Sequence, residues 1–566
     1  MSTAATPDIK MTRQQAISQL TAAGEPYELV AGRLWGRECR VFKHAPKSLR
    51  ELFEVNRSAA TFIVYDEERF SFEQAWQQAS KIATILVNDY GVEKGDRVAI
   101  SMRNYPEWVM AFMAITSVGA VAVAMNALWL TEEMEYGLQN SGAKVLFADQ
   151  ERIDRLLPAL GNVTTTVIGV RPTKALPAGI ADLAALLADC RALEMPAADI
   201  QQSDPATILY TSGSTGHPKG AVSCHANLLT SLLSWELEGH IAALKSGVVP
   251  EVPEDQAATL LAVPLFHVTG LLAVYMMSYR SQRKLISMFK WDVQLAMGLI
   301  ERERISTFVA PAAMTGDLVN AAKQTTYDLG SLAMVGGGGA PRAPEQVKRI
   351  AQSFGKALPN TGWGMTETNA IGTGISGEDY LGRPGSSGQC SAALDIRIVD
   401  EAGTVQPTGS RGELQIRGSS VIEGYWQRPD ANAETFVDGW LRTGDVAYID
   451  AEGFVFIVDR IKDLVIRGGE NIGCAEVEAG LLEHDNILEA SVYAVPDERL
   501  GEEVGATIYC NQALTEAAVQ AFLAERMARF KIPRYLRFST EPLPRIAAGK
   551  IDKRSLRKMA VDSLAL

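Results

Sequence analysis

The sequence has few cysteines, and no two of them stand at the CxxC spacing. Zinc ribbons and fingers need such pairs, and disulfide frameworks need a denser set of cysteines. We therefore expect a reducing compartment, the cytoplasm, and thiols that behave as small buried apolar groups. The six positions are Cys39, Cys190, Cys224, Cys390, Cys474 and Cys510.

Runs of Lys and Arg are also missing from the 566 residues. The chain carries 54 Lys and Arg against 67 Asp and Glu, which gives a formal net charge of −13. Proteins that bind nucleic acid neutralise phosphates with a basic face, and no such face is predicted here. The composition argues against a nucleic-acid partner, so local groups must bind any anionic ligand.

Long apolar segments are scarce. The opening stretch MSTAATPDIKMTRQQ lacks the apolar core of a signal peptide. Residues 108–125 form one uncharged run, at the lower limit for a membrane span. Gly119 divides this run into a helix-like part and a Val/Ala-rich part, which favours a buried helix and a buried strand over a single marginal span. We therefore expect no stable membrane insertion.

Most of the chain alternates between long helical patterns and short Val/Ile-rich runs. Four such runs are RVAIS (97–101), AKVLFA (143–148), TTVIGV (165–170) and ATLLAVP (258–264). This alternation predicts α/β architecture with largely parallel sheets. No repeat of 20 to 50 residues is visible, and a chain of this length predicts more than one domain.

The pattern of apolar and polar residues changes along the chain, and these changes predict the domain boundaries. Residues 1–50 form an N-terminal extension, and residues 51–459 form a large domain whose last part, from about 385, is a β subdomain of alternating strands. Residues 460–566 have the size of a separate small domain.

Residues 210–220, YTSGSTGHPKG, are rich in hydroxyl groups and glycine. Such a loop forms a concave anion site, because glycine lets backbone N–H groups approach phosphate oxygens closely. The loop is predicted to lie between a strand (207–210) and a helix (225–235), where parallel sheets bind phosphates. It is not a Walker A loop, since Lys219 is followed by Gly220. A merely flexible surface loop is the alternative.

TSGSTGHPKG resembles the phosphate-binding signature of the adenylate-forming superfamily, which includes acyl-CoA synthetases, adenylation domains and luciferases. Further motifs follow in the family's order from GVEKGDRVAI (91–100) to PRIAAGKIDK (544–553), so the resemblance covers about residues 50–560. It implies an α/β fold with a large N-terminal domain of stacked, mostly parallel α/β subdomains plus a β subdomain. A small, mobile α+β C-terminal domain should follow.

The resemblance also implies a nucleotide site. The first motif should bind the phosphates of ATP through Thr211, Ser212, Gly213, Ser214, Thr215, Gly216 and Lys219, with Thr211 also near the metal. Small residues of GGGGAP, namely Gly338, Gly339, Ala340 and Pro341, should pass close to adenine and the acyl group. The second nucleotide motif contributes Trp363, Gly364 and Met365, and Trp363 replaces the usual tyrosine.

Catalytic roles follow from the same resemblance. Thr366 should contact the α-phosphate, and Glu367 should offer a hard carboxylate oxygen to Mg²⁺. Asp445 and Arg460 should contact the ribose. Lys550 should place a cation against the charge that develops during adenylation.

A hinge and a coenzyme A tunnel are implied near the C-terminal domain. Lys462 matches the family's hinge residue, about which the small domain rotates between the two half-reactions. Gly468 and Gly469, in RGGENIG, match the glycine-rich segment that lines the pantetheine tunnel. His267 matches a gate beside the acyl pocket, and a buried structural histidine is its alternative.

These features predict an AMP-forming acid–CoA ligase that uses ATP, Mg²⁺ and coenzyme A. A stand-alone adenylation enzyme that loads a carrier protein, or a nucleotide-binding protein without catalysis, are the rivals. Pocket candidates are small or apolar, which suits a small-molecule carboxylic acid, first a medium- or long-chain fatty acid and second an aryl acid. The resemblance also disfavours an amino acid, because the family's amino-acid activators carry an acidic partner for the ammonium group in the region matching 265–270, and PLFHVTG has none. A homodimer is compatible with the sequence. The pocket candidates are His267, Val309, Gly338, Gly362 and Met365.

Overall fold

The computed structural model describes residues 11–192, 194–211, 218–247, 255–338, 344–468, 470–546 and 550–563. Within these ranges the strands form four sheets, of two, eight, fourteen and five strands. Helices cover the larger sheets, so the predicted α/β class is confirmed.

The chain begins with a helix and an antiparallel hairpin. Thr12 caps the first helix, because its hydroxyl accepts a hydrogen bond from the backbone N–H of Gln15. The hairpin strands pair from Leu29 with Phe42 to Leu34 with Arg37. The elements of this part are α1 (Arg13–Leu20), β1 (Leu29–Leu34), β2 (Arg37–Phe42), α2 (Leu49–Val55), β3 (Thr61–Tyr65) and β4 (Glu68–Ser71).

The eight-stranded sheet follows. Its central strands are parallel and buried except at Arg97, which explains their continuous Val, Ile and Ala runs. Its elements are α3 (Phe72–Asn88), β5 (Arg97–Ser101), α4 (Pro106–Ser117), β6 (Val121–Ala124), α5 (Thr131–Ser141), β7 (Val145–Asp149), α6 (Gln150–Leu156), β8 (Thr166–Val170), β9 (Ala181–Asp182), α7 (Leu183–Asp189), β10 (Pro205–Thr211), β11 (Lys219–Cys224) and α8 (His225–Ser246).

The fourteen-stranded sheet has a parallel half and an antiparallel half. In the parallel half, β3 and the five strands between residues 258 and 363 run parallel to one another. A π-helical turn, Thr269–Met276, leads into its first helix. The new elements are β12 (Ala258–Leu261), α9 (Met277–Arg280), β13 (Lys284–Ser287), α10 (Val293–Glu303), β14 (Thr307–Val309), α11 (Ala312–Ala322), β15 (Met334–Gly338), α12 (Pro344–Ser353), β16 (Leu358–Trp363), β17 (Thr373–Ser376) and α13 (Gly377–Gly382).

The antiparallel half matches the alternating strands expected after residue 385. Most of its strands continue the same hydrogen-bonded sheet, whereas one short strand joins the edge of the eight-stranded sheet. The elements are β18 (Gly388–Cys390), β19 (Leu394–Val399), β20 (Gly412–Gly418), β21 (Gly424–Tyr425), α14 (Pro429–Thr435), β22 (Phe436–Val437), β23 (Trp440–Ile449) and β24 (Phe454–Arg460).

The C-terminal part builds its own five-stranded sheet and its own core. Two long antiparallel strands form its centre. Its elements are β25 (Val465–Arg467), β26 (Glu470–Ile472), α15 (Cys474–Leu482), β27 (Ile487–Asp497), β28 (Gly501–Cys510), α16 (Glu516–Ala524), β29 (Tyr535–Ser539) and α17 (Lys553–Ser563).

Two expectations from the sequence concern membrane insertion. Residues 108–125 divide into the buried helix α4 and strand β6, with Gly119 between them at a φ of 76°. No helix in the described part of the chain combines the length and apolar character needed to span a membrane.

The surroundings of the glycine-rich loop include one element that was not predicted. The helix expected over residues 225–235 is α8, which starts at His225. Before α8 the chain forms β11, which pairs antiparallel with β10. The pattern KGAVSC is a short strand because Ala221 and Val222 are buried against neighbouring elements.

Candidate active site

A cavity of about 2880 Å³ lies where the two large sheets and the C-terminal part meet. Its wall includes the ends of β10, β15 and β16, the start of β11, and the segment around Lys550. The carboxyl ends of parallel strands are where open α/β sheets bind ligands.

The hairpin of the glycine-rich loop places Thr211 opposite Lys219. The Lys219 ammonium lies 5.0 Å from the centre of the Tyr425 ring, a cation–π contact that holds this charge at the cavity wall. The other predicted phosphate ligands, Ser212 to Gly216, lie outside the described residues.

Glu367 sits in a tight turn, Thr366–Thr368, directly after β16. Asn369 and Ala370 follow with φ values of 54° and 61°, so the chain reverses sharply at this point. The Glu367 carboxylate is buried and accepts a hydrogen bond of 2.7 Å from the Tyr425 hydroxyl. The turn therefore brings a fixed carboxylate to the cavity wall.

Asp445 is held by donors from two other strands. Asp445 on β23 lies directly opposite Arg460 on β24 in the antiparallel pair. The Nε atom of Arg460 lies 2.5 Å from Oδ1 of Asp445. The Trp363 indole N–H donates to its Oδ2 at 2.7 Å. Burial raises the pKa of Asp445, and Arg460 and the indole N–H oppose that rise.

Lys550 faces the same cavity from the C-terminal part. Desolvation lowers its pKa, and so does Arg460, whereas Asp445 opposes both. His267 also lines the cavity, and no described group bonds its Nε2. Desolvation, followed by the Lys550 charge, lowers the pKa of His267 to about 4, so this imidazole is neutral near pH 7.

The remaining predicted residues divide into three groups. Lys462 and Met365 line the cavity together with Gly364 and Thr366. Gly468 is in the turn between β25 and β26, where its N–H donates to the carbonyl of Leu500, and it does not line the cavity. Gly339, Ala340, Pro341 and Gly469 lie outside the described residues.

A channel continues from the catalytic end of the cavity along the face of the parallel sheet. Val309, Gly338 and Gly362 line it at the carboxyl ends of their strands. At the other ends the lining residues form one hydrogen-bonded row across four strands. This row is Thr259, Thr307, Met334 and Leu358.

Gly338 is required by close packing of the sheet. A Cβ at this position would lie 2.7 Å from the carbonyl oxygen of Gly362. A larger residue at 338 would therefore displace the backbone of β16 before it narrowed the channel.

The donor set fits a magnesium ion that is held mainly by a nucleotide. Among the described residues no group of three His, Cys, Asp or Glu side chains forms a cage for a metal. Glu367 supplies one hard oxygen ligand, and Mg²⁺ commonly takes one or two carboxylates plus phosphate oxygens.

Sequence reasoning missed two residues of this site. Tyr425, which bonds Glu367, lies in the short strand β21 and carried no recognised motif. Trp235 lines the channel from α8. The apolar residues of this helix lie on more than one face, so the sequence did not indicate which of them would line the cavity.

Known families match most of the chain. The sequence model described as AMP-binding enzyme matches residues 53–426. The model of the AMP-binding enzyme C-terminal domain matches residues 476–550.

Individual proteins match over nearly their whole lengths. A long-chain-fatty-acid–CoA ligase of Mycobacterium tuberculosis is 31% identical over 497 residues, 87% of this chain and 93% of the relative. An anthranilate CoA ligase, solved in complex with anthranoyl-AMP, has a TM-score of 0.83 at 25% identity, over 92% of this chain and 99% of that chain. The o-succinylbenzoate CoA synthetase of Bacillus subtilis, solved with ATP and a magnesium ion, has a TM-score of 0.76 at 27% identity, over 89% and 99% respectively.

Proposed function

The chain belongs to the AMP-binding enzyme family, and on that premise we propose that it activates a carboxylic acid with an uncharged, extended tail, a medium- or long-chain fatty acid. The enzyme is an AMP-forming acid–CoA ligase that uses ATP, Mg²⁺ and coenzyme A. A carboxylate oxygen bonds to the α-phosphorus of ATP as pyrophosphate leaves. The thiol sulfur of coenzyme A then bonds to the acyl carbon as AMP leaves.

Asp445 is proposed to accept hydrogen bonds from the ribose hydroxyls. A carboxylate has about four lone-pair directions, and Trp363 and Arg460 use two of them. The remaining directions suit two further donors, and the fixed orientation of the carboxylate lowers the entropic cost of binding.

Lys550 and Glu367 are proposed to act on the phosphate groups of ATP. The Lys550 ammonium lines the cavity, and its proposed role is to stabilise the negative charge that grows on the phosphate oxygens in the transition state. Thr366 lies in the same turn as Glu367 and offers a hydroxyl to those oxygens. When bound with ATP, Mg²⁺ supplies further neutralisation of phosphate charge.

The observation that carries the choice of acid is a pair of large apolar side chains at the far end of the channel, next to Thr259 and Thr307 of the same row. These two side chains, Met334 and Leu358, line the channel with 37% and 55% of their surfaces exposed. Large apolar side chains exposed within a concave cavity favour an apolar ligand, because its binding removes their surface from water. No acidic side chain occurs in residues 264–270 to pair with an amino acid's ammonium group.

Channel length supports an extended acid. Met334 and Gly338 lie at the two ends of β15, so the sheet face between them is about 13 Å long at roughly 3.3 Å per residue. An extended chain advances roughly 1.2 Å per bond, so about ten bonds fit along this face. An aryl acid would leave the far row of side chains uncovered.

A panel of acids tests this proposal. Purified enzyme is mixed with ATP, Mg²⁺ and either octanoate, dodecanoate, hexadecanoate, benzoate or cinnamate, and pyrophosphate release is measured. We expect the aliphatic acids to give the highest kcat/KM. A preference for benzoate or cinnamate would contradict the fatty-acid assignment and favour an aryl-acid ligase.

A cytoplasmic location and a homodimeric state are two further proposals. The six cysteines are unpaired thiols, as in proteins of reducing compartments. Cell fractionation tests the location, and light scattering of the purified protein tests the oligomeric state.

A further inference from the structure

Residues 11–45, here the N-terminal segment, precede the part of the chain that either family model matches. The segment comprises α1 and the β1–β2 hairpin, and it packs on α8. Its Ala16 and Phe42 are buried in one apolar cluster with Leu237 and Ile241 of α8. A segment outside the shared family region is therefore part of the structure around the cavity.

Helix α8 has two opposed faces. Trp235, Gly239 and Ala242 recur every three or four residues and line the cavity. Leu237 lies roughly half a turn away and is covered by the N-terminal segment, whereas Ile241 packs in the same cluster and also lines the cavity. The position of this cavity wall thus depends on the segment behind it.

The segment also reaches around one edge of α8 into the cavity lining. Arg13 Nη2 lies 2.5 Å from Glu238 Oε1, and the two side chains are 17% and 25% exposed. Arg13 also donates to the backbone carbonyl of Cys390 at 3.1 Å. Arg13 and Glu238 both line the cavity, and their pairing leaves this edge without net charge.

The N-terminal segment makes a second contact at the other edge of α8. The Tyr27 hydroxyl donates to Glu236 at 3.5 Å, and its ring packs 5.3 Å from the His240 ring. Glu236 is also paired with Arg280 at 2.6 Å. Both carboxylates that α8 presents beside the channel are therefore compensated, and the N-terminal segment contributes to each.

We propose that the N-terminal segment is a specificity element of the enzyme: it fixes α8, and its Arg13 neutralises Glu238 so that the cavity selects acids with uncharged tails. This inference rests on the proposed function, since the cavity must be the acid site. Arg13 acts through Glu238 and is a positioning residue, not a catalytic one.

Substitutions that remove the charge of Arg13 or of Glu238 test the proposal, because each should shift the preference among acids in a different direction. Arg13→Met leaves the Glu238 carboxylate unpaired, which should favour an acid with a terminal ammonium group. Glu238→Gln leaves the Arg13 guanidinium unpaired, which should favour an acid with a second carboxylate. The double variant restores neutrality, so its preference should return to that of the wild type.

The experiment compares kcat/KM within two series of acids. The aliphatic series is dodecanoate, ω-aminododecanoate and dodecanedioate, and the aryl series is benzoate, 4-(aminomethyl)benzoate and terephthalate. We expect the preference for the charged analogue over the uncharged acid to rise about tenfold in each single variant. Arg33→Met is the matched control, because Arg33 lies in the same segment with 68% of its side chain exposed.

Unchanged preferences in both single variants would overturn the inference even if every variant activated dodecanoate. A wild type that activates neither series would instead overturn the proposed substrate class. In that case hydrogen exchange of residues 235–246 still tests the segment. We expect faster exchange in Arg13→Met and Tyr27→Phe than in the wild type and Arg33→Met, and equal exchange in all four proteins would overturn the inference.

Discussion

At the scale of single residues, Asp445 is bound by donors that are far apart in the sequence. Trp363 comes from β16 and Arg460 from β24. The indole N–H of Trp363 is the group that reaches the carboxylate from β16. This hydrogen bond orients the proposed ribose ligand.

Trp363→Phe keeps an aromatic ring and removes this donor. A hydrogen bond to a charged group contributes about 1.5–3 kcal/mol, so we expect the KM for ATP to rise roughly ten- to hundredfold. The preference among acids should not change. Trp291→Phe is the control, because the Trp291 indole bonds Asp317 at 2.9 Å in an exposed position. Similar KM values in both variants would argue against the role of Trp363.

Tyr425→Phe tests how the chain holds Glu367. The change removes the hydroxyl that donates to the carboxylate but keeps the ring over which Lys219 lies. Partners of a metal ligand typically contribute about 10–100-fold in metal affinity, so we expect half-maximal activity to need at least about tenfold more Mg²⁺. Tyr448→Phe, a ring stacked on Phe456, is the control. An unchanged Mg²⁺ requirement in Tyr425→Phe would exclude the proposed role of Glu367.

Motifs in the sequence led to single residues. Asp445, Arg460, Lys550 and Glu367 were all expected at one site, and the structure places each at the cavity wall. Tyr425 could not be predicted, because its contact with Glu367 depends on β21 pairing with the edge of a different sheet. Contacts of this kind follow from tertiary packing and leave no local pattern.

At the scale of elements, the channel depends on which face of each parallel strand meets α8. Side chains alternate across a strand, so Met334 and Gly338 share the channel face of β15, whereas Val335 lies in the opposite core. Of the strands along the channel, β12 was predicted from the run ATLLAVP, whereas β15 (MVGGG) and β16 (LPNTGW) have no Val/Ile run. The β10–β11 hairpin was not predicted, because its second strand is short and begins with lysine and glycine.

Met334→Trp should shorten the longest acid that the enzyme accepts. The indole would fill the far end of the channel, where Met334 is 37% exposed, and would exclude the last few carbons of a long tail. We expect kcat/KM for hexadecanoate to fall about tenfold or more while octanoate is little affected. Met559→Trp, at an exposed position on α17, is the control. An unaltered chain-length profile in Met334→Trp would place the acid elsewhere.

At the scale of the whole molecule, one buried histidine makes stability depend on pH. His225 is 0% exposed, and its Nδ1 accepts a hydrogen bond of 3.1 Å from the backbone N–H of Leu49. Burial lowers the pKa of His225 from 6.5 to about 4. Between these values the unfolded chain binds more protons than the folded one, so stability is retained above pH 6.5 and declines as the pH falls through this window.

His225→Gln should remove the part of this dependence that His225 contributes, because the amide oxygen can accept the same hydrogen bond without titrating. From the pKa difference, His225 should account for about 2 kcal/mol of the loss in unfolding free energy between pH 7 and pH 5. Denaturant unfolding at both pH values measures it, with His240→Gln, an exposed histidine, as the control. The same loss in His225→Gln as in the wild type would show that another group is responsible.

The central claim is that Lys550, carried by the C-terminal part, serves adenylation at a site built by the large sheets. The direct measurement separates the two half-reactions in Lys550→Ala, with Lys558→Ala, an exposed lysine of α17, as the control. Pyrophosphate release from acid and ATP should fall by about a hundredfold or more, while conversion of supplied acyl-adenylate to acyl-CoA should be retained. Equal loss of both half-reactions, or pyrophosphate release at the wild-type rate, would contradict the account.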